Sequence, residues 1–236
     1  MARSRPRRLA LWLLGAAAAV VVLVVGGTFV YFHFIAGPTP APLGLKTSGS
    51  VRASGNPAAA SSSVAGSWQV SRGSLVGYRV QEVLFGQNHT AVGRTGAITG
   101  HITISGTTVT SGAITVQMAT ITSDASERDA QFRGRIMDTS SYPTATLTLT
   151  RPIALAPLPA VGVVRTYTVS ASLTLHGHAR QVTFPLQAER TAQGIEVSGS
   201  IPILFVDWGI PNPSFTGFVT TQDHGVLEFL LKFGRS

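Results

Sequence analysis

Along residues 68–236, apolar and polar side chains alternate. Ile114-Thr-Val116-Gln-Met118, Leu147-Thr-Leu149 and Leu173-Thr-Leu175 each place their apolar members on one face of an extended chain. Thr and Val dominate these runs, and β-branched side chains suit a pleated surface with one face buried. The pattern predicts further strands at 75–83, 97–105, 166–171, 181–189, 195–203 and 226–233. Gly and Asn clusters separate them, at Gly86-Gln-Asn88, Ser105-Gly106, Ser111-Gly112 and Gln193-Gly194. Many short strands joined by turns, with almost no helical periodicity between them, predict an antiparallel barrel or sandwich. One short helix is expected, because Asp124-Ala-Ser-Glu127 has the spacing of a capping box and Gly134 can end the stretch.

Two other patterns precede this domain. Residues 9–35 run for 27 positions without Asp, Glu, Lys or Arg. As a helix rising about 1.5 Å per residue the run reaches roughly 40 Å, enough to cross a hydrocarbon core of about 30 Å with tilt. Trp12 at one end, and Phe29, Tyr31, Phe32 and Phe34 at the other, fit interfacial anchoring. Arg3, Arg5, Arg7 and Arg8 precede the run and no basic residue immediately follows it, which predicts a cytoplasmic N-terminus. A cleaved signal peptide is the alternative, but its apolar region is usually only about 7–15 residues long. Of the 31 residues 37–67, 22 are Gly, Ala, Ser or Pro, and the larger aliphatics are Leu43, Leu45, Val51 and Val64 alone. Such a composition cannot bury enough apolar area to offset its ordering entropy, which predicts a flexible spacer. The expected organisation is a basic cytoplasmic N-terminus (1–8), a single-pass transmembrane signal-anchor helix (9–35), a flexible linker (36–67) and a β-domain (68–236) held outside the cell membrane.

The net charge of +8 and pI near 11 would suit a nucleic-acid partner, but the position of the charge argues otherwise. Six of the 18 Lys and Arg precede Trp68, leaving twelve against ten Asp and Glu, so the domain carries only +2. A nucleic-acid module needs its basic residues on the folded surface. Cysteine is absent, which excludes disulfides, a thiol nucleophile, Cys-based zinc sites and a lipidated N-terminal cysteine.

Catalytic chemistry has little to stand on. No serine sits in a Gly-x-Ser-x-Gly elbow, no Gly-rich loop leads from a strand into a helix, and Glu127 lies beside an arginine, as a salt-bridging residue would. His176 and His178 are two apart near a strand end, a spacing that places both on one side of a strand, as in a metal pair. Gly177 between them looks like a turn, and no carboxylate motif accompanies them. Hydrogen-bonded structural histidines are the alternative, and the expectation is no catalytic residue, no metal and no cofactor. The apolar strand faces could enclose a ligand or close a solid core, and composition does not separate the two.

Several short motifs occur in order: Trp68-Gln-Val70, Gly93-Arg-Thr95, Ser126-Glu-Arg-Asp129, Met137-Asp-Thr-Ser-Ser-Tyr-Pro-Thr-Ala-Thr146, Leu173-Thr-Leu-His-Gly177 and Asp207-Trp-Gly209. Together they resemble the YceI family across 68–233, and Phe85-Gly-Gln with Ile210-Pro-Asn-Pro213 is similar to its actinobacterial branch. The resemblance implies an all-β fold, an extended antiparallel barrel of about eight strands, lipocalin-like, with one short helix. It also implies a hydrophobic channel for a polyisoprenoid or another long-chain amphiphilic lipid outside the membrane. Arg128-Asp129 and Tyr142-Pro143 would then brace the helix and a strand entry, and Trp208 would lie half-buried near the barrel mouth. The apolar positions expected to line the channel are Ile114, Val116, Leu147, Leu149, Leu173, Leu175, Phe184, Leu186, Phe229 and Leu231. Two other readings stand beside lipid binding: an envelope module that docks a partner without bound lipid, and a hydrolytic or metal-dependent enzyme using His176 and His178.

Overall fold

In a computed structural model, which describes residues 12, 15, 16, 18–20, 39–45, 63–84, 86–214 and 219–236, the alternating pattern becomes twelve strands. They are β1 (Gly66–Val70), β2 (Leu75–Leu84), β3 (Gln87–Thr95), β4 (Ile98–Ser105), β5 (Thr108–Gln117), β6 (Thr144–Leu149), β7 (Ile153–Ala154), β8 (Arg165–Leu175), β9 (His178–Arg190), β10 (Ile195–Leu204), β11 (Val219–Thr221) and β12 (His224–Arg235). Eight close into an antiparallel ring in the order β1-β4-β5-β6-β8-β9-β10-β12, with β12 returning to β1. Closure removes the free edges that an open sheet would expose. β12 is the long staple: it pairs with β10 along ten residues, and its other edge is shared between β1 at Phe233–Arg235 and β2 at Val226–Leu230. β3 extends the sheet outward from β2, and β11 pairs with the far end of β2.

Inside the ring the period-two stripes meet. Leu173, Leu175, Phe184, Phe229 and Leu231 are buried, and the Phe184 and Phe229 rings meet edge to face with centroids 5.9 Å apart. One helix, α1 (Ser126–Gln131), continues as a wider helical turn through Ile136. Its expected capping box does not form. Ala125 is the N-cap and contributes no side-chain hydrogen bond, Asp124 pairs instead with Arg128, and the Ser123 amide and hydroxyl donate to Asp129 at 2.8 and 2.7 Å. Asp129 and Arg128 thus both brace the helix entry as expected, Arg128 through Asp124, and Arg128 also reaches Glu82 on β2.

Four further expectations change. Ser111-Gly112 separates no strands and lies inside β5, whereas the Gly86 cluster does mark the turn from β2 into β3, which begins already at Gln87. His176 and His178 do not share a strand face: His176 and Gly177, at φ 48° and 76°, form the two-residue turn joining β8 to β9. Trp208 is buried at 2% exposure within a helical turn, Phe205–Trp208. The ordered domain starts before residue 68, because β1 begins at Gly66 and Val64 is in the core. The N-terminus 1–8 and most of the run 9–35 lie outside the described residues. Positions of the run that are described, such as Trp12 and Val20, are helical and exposed. Among the described residues no helix is long and apolar enough to cross a membrane.

Candidate ligand-binding site

The ring encloses a cavity of about 310 Å³, at the lower end of the range typical of ligand pockets, about 300–1,000 Å³. Its wall follows from strand alternation. Ile114 and Val116 on β5, Leu147 and Leu149 on β6, Leu173 and Leu175 on β8, Phe184 and Leu186 on β9, and Phe229 and Leu231 on β12 all face it. Register brings some of them into rows, with Ile114 opposite Leu147 and Leu147 opposite Leu173. The wall is not uniform. Leu173, Leu175, Phe184, Phe229 and Leu231 are buried, while Ile114, Val116, Leu147, Leu149 and Leu186 face inward yet keep more accessible surface. Inward-facing side chains that remain accessible border open space, so the interior is not a solid core.

The helical segment lies over the cavity and turns Arg128, Phe132, Ile136 and Met137 onto it. A polar corner forms there. On β2, Val76, Tyr78, Val80 and Glu82 share the inward face, and all four border the cavity. Glu82 stands in register between His89 on β3 and Thr221 on β11. Arg128 Nη2 donates to Glu82 Oε1 at 3.1 Å, and His89 Nδ1 lies 3.0 Å from the same oxygen. Burial works against the charge on Arg128, but Glu82 and Asp124 more than offset it, so the guanidinium stays protonated. The Tyr78 ring stacks on Phe132 at 5.1 Å, and burial raises its hydroxyl pKa above the usual tyrosine range. The Thr221 hydroxyl is buried beside the cavity with no hydrogen-bond partner among the described residues.

Tyr78, Glu82, Arg128 and Thr221 are absent from the lining expected from the sequence. A signal existed for Tyr78 and Glu82, which continue the inward stripe of Val76 and Val80. For Arg128 and Thr221 none did, since one depends on where a short helix lands and the other lies on a three-residue strand.

The histidine pair stands apart from the cavity. His176 Nδ1 lies 3.2 Å from the Trp208 carbonyl and His178 Nδ1 lies 2.9 Å from the His176 carbonyl. A carbonyl only accepts, so both Nδ1 atoms carry protons and act as donors that hold the turn. Tyr142 covers His176 with ring centroids 4.5 Å apart. Among the described residues no group of three or more His, Asp or Glu is placed to hold a metal ion.

Comparison with known proteins puts this geometry in context. The family model of the YceI-like domain matches residues 60–233. A polyisoprenoid binding domain from Saccharophagus degradans, implicated in plant cell wall breakdown, is 19% identical with a TM-score of 0.60, covering 73% of this chain and 99% of that one. Burkholderia cenocepacia BcnA is 21% identical with a TM-score of 0.51, covering 65% of this chain and 94% of that one. At these identities the likeness speaks for the fold. No curated protein matches the chain.

Proposed function

The chain belongs to the YceI-like domain family, and from that premise we propose that it is a membrane-anchored, extracytoplasmic lipid-binding protein that holds a polyisoprenoid or similar long-chain amphiphile in its barrel. The observation that carries this reading is the closed ring around an apolar-walled cavity with a polar corner at Glu82, Arg128, Tyr78 and Thr221. Such a site needs no catalytic group. Each buried methylene offers about 0.8 kcal/mol, so one five-carbon isoprene unit offers about 4 kcal/mol before ordering costs are subtracted. Binding rather than catalysis is therefore the role, and the histidine turn is structural.

The polar corner narrows the head group. Around Tyr78 the charges are Glu82, Asp124 and Asp129 against Arg128, whose charge is shared with Glu82 and Asp124, so a diphosphate head would meet net negative charge. An uncharged hydroxyl or carbonyl head would find the unpartnered Thr221 hydroxyl and the protonated Tyr78 hydroxyl. The run 9–35 would cross the membrane once with the N-terminus in the cytoplasm, leaving the barrel on the outer side.

Retention of a radiolabelled polyprenol on the delipidated full chain after gel filtration tests the proposal, with polyprenyl diphosphate as the comparison. Near one-to-one retention of the alcohol and weaker retention of the diphosphate is expected. A protein that retains neither lipid is not a lipid carrier, and partner docking through the barrel surface would replace this reading.

A further inference from the structure

The segment between the apolar run and the barrel is expected to be a spacer, yet residues 39–45 lie against the outside of the barrel wall. Four main-chain groups of this stretch are bound by barrel side chains. Arg79 Nη2 donates to the Pro40 carbonyl at 2.6 Å, and Arg94 donates to the Ala41 carbonyl. The Leu43 amide donates to Glu228 Oε2 at 3.2 Å and the Leu45 amide to Ser198 Oγ at 3.3 Å. These side chains come from β2, β3, β12 and β10, so the segment crosses the strands rather than extending the sheet.

Glu228 is the centre of the contact. It lies on the opposite face of β12 from Phe229 and is only 3% exposed, although that face is the barrel's outside. Arg94 Nη2 reaches it at 2.7 Å and Arg79 Nε at 3.4 Å. Gly77 stands in register between Glu228 and Arg94, and a Cβ there would come within 2.8 Å of Arg94 Cγ and 2.1 Å of the Gly93 carbonyl. The absent side chain thus lets Arg94 cross to Glu228. A carboxylate so enclosed has oxygens to satisfy, and the Leu43 amide satisfies one of them.

The segment itself, Thr39-Pro-Ala-Pro-Leu-Gly-Leu45, suits this contact. Pro40 and Pro42 hold their own φ and bias Thr39 and Ala41 toward extended backbone, so little conformational freedom is lost on docking. They also carry no N–H, so positions 40 and 42 leave no main-chain donor to satisfy. Leu43 and Leu45 are half-buried.

We propose that residues 39–45 act as a docking strap that seats the barrel close to the end of the run 9–35. This rests on the membrane anchoring proposed above. A linker of residues 36–67 would let the barrel roam up to about 110 Å at full extension, whereas the three residues 36–38 reach only about 10 Å. The strap converts a long tether into a short one and holds the barrel where a membrane lipid can enter it directly.

The chain has no cysteine, so introduced thiols report without background. In vesicle-reconstituted full chain, a Leu45→Cys/Ser198→Cys pair should form a disulfide at least about tenfold faster than a Val51→Cys/Ser198→Cys pair. Equal rates would overturn the docking. Replacing 39–45 by Gly-Ser of equal length leaves the barrel's own contacts intact, and energy transfer from a dye at Val206→Cys to acceptor lipids should then fall. Unchanged transfer would overturn the positioning role. A Leu45→Cys/Ser198→Cys chain that forms its disulfide but washes off the vesicles would overturn the anchoring reading while leaving the docking in place.

Discussion

Replacing Leu147 by Trp tests whether the barrel wall holds a lipid. Leu147 faces the cavity from β6 and keeps accessible surface, whereas its neighbour in register, Leu173, is 4% exposed. An indole at 147 projects into open space and displaces about one isoprene unit, whose burial is worth about 4 kcal/mol, or about a thousandfold in affinity. Partial relaxation of the lipid should reduce this to about a hundredfold. The same change at 173 forces bulk into occupied space and should cost about 1–3 kcal/mol of stability. Urea unfolding and polyprenol titration, run on both variants, separate the two effects. The expected pattern is weak binding with near-normal stability for Leu147→Trp and lowered stability for Leu173→Trp. If Leu147→Trp binds within about threefold of the unaltered chain, a difference of less than about 1 kcal/mol, lipid does not lie along this wall and the reasoning fails.

The polar groups can be tested one by one. Thr221→Val removes a buried hydroxyl without a partner, so the delipidated protein should gain about 1 kcal/mol in urea unfolding while polyprenol binding weakens severalfold. Arg94→Ala leaves the enclosed Glu228 with Arg79 as its one cationic partner beside the Leu43 amide and should cost about 2–3 kcal/mol in the same assay, somewhat below the loss for a fully buried pair because Arg94 is partly exposed. Tyr78 holds its proton in the folded state above its ordinary pKa of 10.0. Its contribution to stability is therefore complete below about pH 10 and declines above it, where the unfolded chain ionises first. Absorbance titration should show one tyrosine ionising later than the others, and Tyr78→Phe should abolish that late step.

The strands were legible because alternation is local: Ile114, Val116, Leu147 and Leu149 share one face whatever the rest of the chain does. Whether that face borders a cavity depends on how many strands close the ring and on what the helix lays across it, and neither is written in any short window. β3 was hidden by its polar start, Gln87-Asn-His-Thr90, which suits an outer strand and resembles a loop. Glu82 was hidden only by its charge, since its position continues the Val76–Tyr78–Val80 stripe. The linker carried a clue in its few larger aliphatics. Leu43 and Leu45 are half-buried on the wall and Val64 is in the core, while Val51 lies outside the described residues. A composition rich in Gly, Ala, Ser and Pro sets the average behaviour of a segment, but seven residues held by Arg79, Arg94, Glu228 and Ser198 escape that average.

Native mass spectrometry of the full chain, extracted gently from the cells that make it, tests lipid carriage most directly when the co-purifying lipid is identified. One long-chain lipid per barrel is expected, with an uncharged hydroxyl or carbonyl head. A protein that arrives without lipid, and that also refuses added polyprenol, would contradict lipid carriage by this barrel.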